Sequence, residues 1–429
     1  MKSKTKYSII GFAFAIALLV GMFANVFAQN QFGQAGKIWY EQGFLYVNVV
    51  NEGVVVINNY NPKSPRKVGF VQIQGNVDLA MKGTVMFANN NQDLVAVDIS
   101  DLKNVKELAR ISNVFTHRNR GSQWNTNGSD NNPNTIAWRT GENMFSFLPL
   151  LFGGNNTSTG RGLNNLFNTR NTNTNMMGLG TSGIGGSNPL VTSINQPASS
   201  PTGGSGKGGS MACFTIVGNY LYAIDAQDLQ IFDISEAKKP RLVGQKVAIN
   251  TDIETIFASG QQLFIGSQSG MYIYDITDPL APQRRGHYAH TRSCDPVVVE
   301  GNYAYVTLRD GTDCAGGVNQ LDVIDINNPS FPRKLKTYKM TNPHGLGIDN
   351  GLLFVCDGRD GLKVYDARDP GQIDRNQIAH FANMSTYDVI PDSHRKILMM
   401  VGNNRITQYD YNNPKSLVQL SQIDVLSNQ

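Results

Sequence analysis

The chain predicts an all-β fold, a seven-bladed β-propeller interrupted by one long low-complexity insertion. Three observations carry this. One short pattern recurs seven times, as VVVINNYNPKSPRKVG (54–69), LVAVDISDLKNVKEL (94–108), LQIFDISEAKKPRLVG (229–244), MYIYDITDPLAPQRRG (271–286), LDVIDINNPSFPRKL (321–335), LKVYDARDPGQID (362–374) and ITQYDYNNPKSLVQL (406–420). Between the terminal Asn or Asp of neighbouring copies the steps are 40 residues (Asn58 to Asp98), 42 (Asp233 to Asp275), 41 (Asp325 to Asp366) and 44 (Asp366 to Asp410). A second apolar strand precedes every copy, for example YLYAID (220–225) and YAYVTL (303–308). About four strands per repeat at that period is the signature of propeller blades.

The elements follow in order. Residues 1–28 read as a signal peptide: Lys2, Lys4 and Lys6 precede the apolar run 9–23, and small residues at Ala24, Val26 and Ala28 suit cleavage after Ala28. The run is short for a membrane span, and an uncleaved anchor is the alternative. No second long apolar stretch follows, so no membrane span is expected after cleavage. Residues 29–112 hold blades one and two, with GKIWYE (36–41) as the first inner strand. Residues 113–210 form the insertion, rich in Asn, Gly, Ser and Thr, as in NNTSTGRGLNNLFNTRNTNTN. Such a composition buries too little apolar surface to offset ordering costs of about 1–2 kcal/mol per residue, so most of it is expected to be disordered. Two apolar islands, TIAWR (135–139) and MFSFLPLLFGG (144–154), leave docking onto the propeller or a partner as the alternative. Residues 211–429 hold blades three to seven. How the ring closes is open, with six or eight blades as alternatives.

Within a blade, we label strands A (innermost) to D (outermost). Gly–Asn pairs between A and B, as in GNYLY (218–222), suit tight hairpins that need positive φ. The Asp or Asn ending each C strand is expected to cap the turn before D through backbone amides, a structural role.

The strand LVAVD, with its variants LQIFD and LDVID, resembles the LVIVD repeat family over about residues 40–425, the insertion excepted. The resemblance implies a bacterial propeller of extracytoplasmic proteins, without a catalytic motif to transfer.

Net charge excludes little. Of the formal +4 the leader supplies +3 and the insertion +4, leaving the propeller slightly acidic. No basic stripe with interleaved aromatics occurs, so nucleic acid is not an expected partner. There is no H-E-x-x-H, P-loop, nucleophile elbow or haem motif. Helical periodicity is scarce after the leader.

Four cysteines in an exported chain invite a disulfide. Position within the repeat pairs Cys294 with Cys314, at one end of blade five. It places Cys213 and Cys356 in blades across the ring, as buried thiols.

The remaining signal is positional. D-to-A and B-to-C connections emerge at one end of a propeller, so the insertion, the Cys314 loop and the residues opening the A strands share a face. Those residues are Asn76, Asp78, Asp252, Glu254, Asp295, His344 and Asp388, with His287, His290 and Arg292 just upstream in the crossing from blade four to five. The sequence therefore predicts an exported binding or scaffolding module, periplasmic, cell-surface-associated or secreted. A protein or glycan partner in the cell envelope is expected at Asp252, Glu254, Arg292, Asp295, His344 and Asp388, with no cofactor. The alternative is a lactonase-like hydrolase, with Glu254, Asp295, Asp388 and His344 holding a divalent cation such as Ca²⁺, Mn²⁺ or Zn²⁺.

Overall fold

The computed structural model describes residues 35–115, the backbone of 136–139, and residues 207–249, 252–291, 293, 296–310 and 317–426. Seven four-stranded antiparallel sheets form the blades. Blade one is β1 (Ala35–Glu41), β2 (Phe44–Val49), β3 (Gly53–Asn58) and β4 (Arg66–Ile73). Blade two is β5 (Leu79–Lys82), β6 (Val85–Asn90), β7 (Asp93–Asp98) and β8 (Lys106–Ile111). Two strands of the insertion follow, β9 (Ile136–Arg139) and β10 (Lys207–Gly208). Blade three is β11 (Phe214–Val217), β12 (Tyr220–Ile224), β13 (Asp228–Asp233) and β14 (Arg241–Ala248). Blade four is β15 (Ile253–Ser259), β16 (Gln262–Ser267), β17 (Gly270–Asp275) and β18 (Gln283–Ala289). Blade five is β19 (Val297–Glu300), β20 (Tyr303–Leu308), β21 (Gln320–Asp325) and β22 (Arg333–Lys339). Blade six is β23 (Leu346–Asp349), β24 (Leu352–Cys356), β25 (Leu362–Asp366) and β26 (Gln377–Phe381). Blade seven is β27 (Asp388–Asp392), β28 (Ile397–Gly402), β29 (Arg405–Asp410) and β30 (Val418–Asp424).

Both faces of each blade are covered by its neighbours, so alternate residues of the middle strands are all buried. β3, β13 and β17 each bury five consecutive residues, whereas the outermost β14 is mostly exposed. The inner strands touch in sequence, from β1 through β5, β11, β15, β19, β23 and β27 back to β1. The ring therefore closes at seven, with blades one and seven each built from contiguous strands and no strand exchanged between them.

Local chemistry explains the repeat. The C-terminal Asn or Asp of every third strand accepts a hydrogen bond from the amide two residues on: Asn58 from Tyr60 (3.2 Å), Asp98 from Ser100 (2.9 Å), Asp233 from Ser235 (2.8 Å), Asp275 from Thr277 (2.8 Å), Asp325 from Asn327 (3.0 Å), Asp366 from Arg368 (3.1 Å) and Asp410 from Asn412 (2.8 Å). These are Asx turns, and they account for the Asp or Asn that marks each copy. A bulge then offsets the pairing of the third and fourth strands in every blade, which twists the exposed outer edge. Two-residue hairpins join the first and second strands of blades three to five. Gly218, Gly260 and Gly301 there take φ of 60°, 59° and 59°, a region closed to most side chains.

Parts of the insertion belong to this scaffold. β9 adds to the outer edge of β4 as a fifth strand, in the register Val71 to Trp138. β10 adds to the inner edge of β1, pairing Gly208 with Trp39 and Lys207 with Tyr40. The expectation of disorder over 113–210 does not extend to these stretches. Residues 116–135 and 140–206 lie outside the described residues. Among the described residues, no helix is long and apolar enough to cross a membrane.

Candidate functional site

The inner strands all begin at one end of the central channel, and each blade presents a polar side chain there. Lys37 comes from blade one, Asp78 from blade two, Cys213 from blade three and Glu254 from blade four. Arg309 follows β20 of blade five, His344 precedes β23 of blade six, and Tyr387 and Asp388 open blade seven. Strand direction sets this convergence: A strands start at the mouth and B strands end there.

The two cations organise the group. Lys37 Nζ lies 3.6 Å from Asp78 Oδ2 and touches Cys213 Sγ. Asp78 Oδ2 in turn accepts from the amides of Cys213 and Phe214, the latter at 3.1 Å, and so ties blade two to the start of blade three. Cys213 Sγ donates to Glu254 O at 3.2 Å. Burial raises the Glu254 pKa above the ordinary carboxylate range; a Gln268 hydrogen bond, Arg309 and Lys37 oppose this, and Asp252 adds to it. Burial and the Arg309 charge lower the His344 pKa to about 4, against the pull of Asp357. The His344 ring lies 5.2 Å from that of Tyr387, its Nε2 is 3.3 Å from Asn342 Nδ2, and its buried Nδ1 has no hydrogen-bond partner.

Asp388 is at the mouth in sequence but sealed within it, fully buried. Oδ1 accepts from Ser210 Oγ (3.1 Å) and the Val389 amide (2.9 Å), while Oδ2 has no partner. Burial raises its pKa to about 7 despite these bonds and Lys37. The covering group is the end of the insertion, Gly209 and Ser210, which the sequence places in the stretch expected to be mostly disordered.

The other expected residues divide clearly. Asp252 is exposed at the rim, beside Glu254. Asn76 is wholly buried and structural, bonded through Nδ2 to Asp78 O (2.8 Å) and through Oδ1 to Asn48 (2.5 Å). His287 is not at the mouth: it lies on the outer strand β18, stacked on Tyr272 at 4.3 Å. His290 follows the same strand, its Nδ1 2.7 Å from Thr291 O. Both belong to the periphery because their strand is the outermost of blade four. Arg292, Cys294, Asp295 and Cys314 lie outside the described residues. Cys213 and Cys356 are buried free thiols.

Of the residues suggested for a cation, Glu254, His344 and Asp388 are described and Asp295 is not. Among the described residues no three of His, Cys, Asp and Glu are grouped to hold a metal ion. Asp388 is closed off by Gly209 and Ser210, and Arg309 is close enough to Glu254 and His344 to act on both. Two cations among the remaining donors oppose a third positive charge. Sequence reasoning missed Lys37, Arg309 and Tyr387, since none has a local motif and only the ring closure brings them together.

The LVIVD repeat model matches residues 78–111, 208–246 and 291–340. No curated protein matches the sequence. Among solved structures, the computationally designed Ika8 protein is 9% identical with a TM-score of 0.51, over 91% of this chain and 87% of that one. A candidate 6-phosphogluconolactonase from Bacteroides fragilis is 10% identical with a TM-score of 0.51, over 91% of this chain and 96% of that one. At these identities the likeness is one of fold. The chain is thus a seven-bladed β-propeller that carries LVIVD repeats.

Proposed function

We propose that this is an exported, non-catalytic binding module, and that a protein or glycan of the cell envelope meets it at the channel mouth. The observation that supports this most is the composition of the mouth. Side chains of both charges, Lys37, Asp252, Glu254 and Arg309, are offered by blades one, four and five at the mouth ends of strands held by seven packed sheets. A rigid scaffold presenting a polar rim is suited to recognition, because little ordering cost falls on the binding step. Export rests on the leader sequence, and the Cys294–Cys314 disulfide is proposed with it.

The test is the combined change Asp252→Ala, Glu254→Ala and His344→Ala in the exported protein. Capture of its partner from the native envelope after mild crosslinking should fall at least tenfold, with the seven-bladed fold retained. Undiminished capture by a folded triple variant rejects the mouth as the binding face. Loss of a bound divalent ion from the same variant would instead favour the lactonase-like reading.

A further inference from the structure

Residues 207–212 run through the central channel. β1 starts at the mouth with Ala35 and ends at the far end with Glu41, and β10 pairs with it antiparallel. Residues 207–212 therefore climb from the far end to the mouth. At the far end Lys207 lies among the inner-strand ends of three blades, where Asp349, Asp392 and Glu300 favour its charge; dense surrounding protein lowers its pKa although the side chain keeps solvent access. Midway, the Gly209 amide donates to Ile38 O at 3.1 Å. At the mouth Ser210 Oγ donates to Asp388 Oδ1 and accepts from the Leu346 amide at 2.8 Å, and the Ala212 amide closes a turn onto Gly209 O at 3.1 Å.

Four features define a recognition site. Backbone pairing to β1 fixes an extended peptide, as in strand addition. At one end Asp349, Asp392 and Glu300 favour a cation through space, Asp349 and Asp392 being bridged themselves to Lys396 and Arg395. The Trp39 ring and Ala212 leave room for a glycine at 208, since a Cβ there would lie 3.2 Å from the ring and 3.3 Å from the Ala212 Cβ. At 209 a Cβ would fall inside the contact shell of Asp388 Oδ2, so only glycine fits. The same carboxyl is fully buried, and Ser210 Oγ and the Met211 backbone supply it with hydrogen bonds from this segment.

We propose that the channel is a peptide-binding site filled in cis by residues 207–212, and that an extended peptide of the same chemistry, a lysine followed by two glycines and a serine, binds there when the resident segment is displaced. This inference is independent of the partner proposed for the mouth.

The test uses the full chain and a fluorescent synthetic peptide of residues 206–211. In the unmodified protein, trypsin should cleave after Lys207 at least tenfold more slowly than in the unfolded chain, and the peptide should not bind. Gly209→Ala should unseat the segment, raise that cleavage at least tenfold and admit the peptide. A peptide with alanine in place of the second glycine should bind at least tenfold more weakly. Adding Asp388→Ala to Gly209→Ala removes the clashing carboxylate and should restore protection of Lys207. The proposal is overturned if Gly209→Ala keeps its protection, or loses it without admitting the peptide. Should Gly209→Ala alone fail to fold, the double variant decides: a protected Lys207 supports the seat, and cleavage at the unfolded rate rejects it.

Discussion

Asn59 and Gln408 exchange two side-chain amide hydrogen bonds, at 2.8 and 2.6 Å, across the junction of blades one and seven. Both residues are fully buried. Gln408 Nε2 also reaches Ser421 Oγ at 3.1 Å, and Arg395 Nη1 donates to Asn59 O at 3.3 Å while its guanidinium lies 4.9 Å from the centre of the Tyr40 ring. At the mouth end the Ala35 amide donates to Asn404 Oδ1 at 2.8 Å. With no strand exchanged between them, the first and last blades are joined by this polar seam.

Breaking one side of the pair orphans the other. Gln408→Ala or Asn59→Ala should each cost about 1–3 kcal/mol, the penalty for a buried amide without a partner. The double variant should cost less than the sum of the two, because neither orphan remains. Denaturant unfolding of the four proteins measures this coupling, and strict additivity would show that the pair does not act as a unit.

The repeat itself was legible because its signals are local. Asp275 binds the amide of Thr277, and Gly260 turns a hairpin, through bonds within a few residues, so the residue types announce the geometry. The channel segment left no such signal. Lys207, Gly208, Gly209 and Ser210 are indistinguishable by composition from the glycine- and serine-rich run before them, and their partners, Trp39, Leu346 and Asp388, stand 136 to 178 residues away. The same distance hid the burial of Asp388, which reads in sequence as one more acidic residue at a strand start. Arg309 and Lys37 meet Glu254 only once the ring is closed.

Stability should depend on pH through groups with opposite signs. Burial raises the pKa of Glu41, Glu52 and Asp388 to about 7 each. Between the ordinary carboxylate range and pH 7 the folded protein then holds more protons than the unfolded chain, so these groups lower stability as pH rises. His344, lowered to about 4, does the reverse: the folded state holds fewer protons between about 4 and 6.5, and stability falls as pH drops through that window. Asp388→Asn removes one carboxylate from the first set. It should raise stability at pH 8 by an amount on the order of 1–4 kcal/mol and flatten the decline from pH 5 to 8. An unchanged slope in the Asn variant would contradict the sealed position of Asp388.

Threading also sets which deletions the propeller tolerates. Removing 116–211 and joining Phe115 to Ala212 through a short Gly–Asn linker spans only the crossing from blade two to blade three, and should leave a folded ring. Removing 120–205 keeps the channel segment on a tether of five residues, which reaches about 17 Å. Phe115 stacks on Phe214 at the mouth end of the inner strand β11, and a six-residue extended segment descends about 20 Å from there along the channel, so the tether is too short. This second deletion should unseat residues 207–212 or fold poorly. Equal protection of Lys207 from trypsin in that deletion and in the intact chain would contradict the threaded path.

The thiols give a separate check. Cys213 and Cys356 are buried, and burial pushes the Cys356 thiol well up, so neither should react with iodoacetamide in the native state. Peptide mapping without reduction should recover the proposed Cys294–Cys314 crosslink, worth about 3 kcal/mol in the chain-entropy model. A 213–356 crosslink would contradict the blade assignment of both.

The central claim is that partners meet the mouth of the channel and not the Asx-turn end. Site-specific photo-crosslinking in the native envelope tests it most directly, with a benzoylphenylalanine at position 252 on the exposed rim and, in a second protein, at position 278 in the exposed turn after β17. The binding reading predicts a discrete adduct from position 252 and none from position 278. An adduct from position 278 alone would place recognition at the opposite end and contradict it.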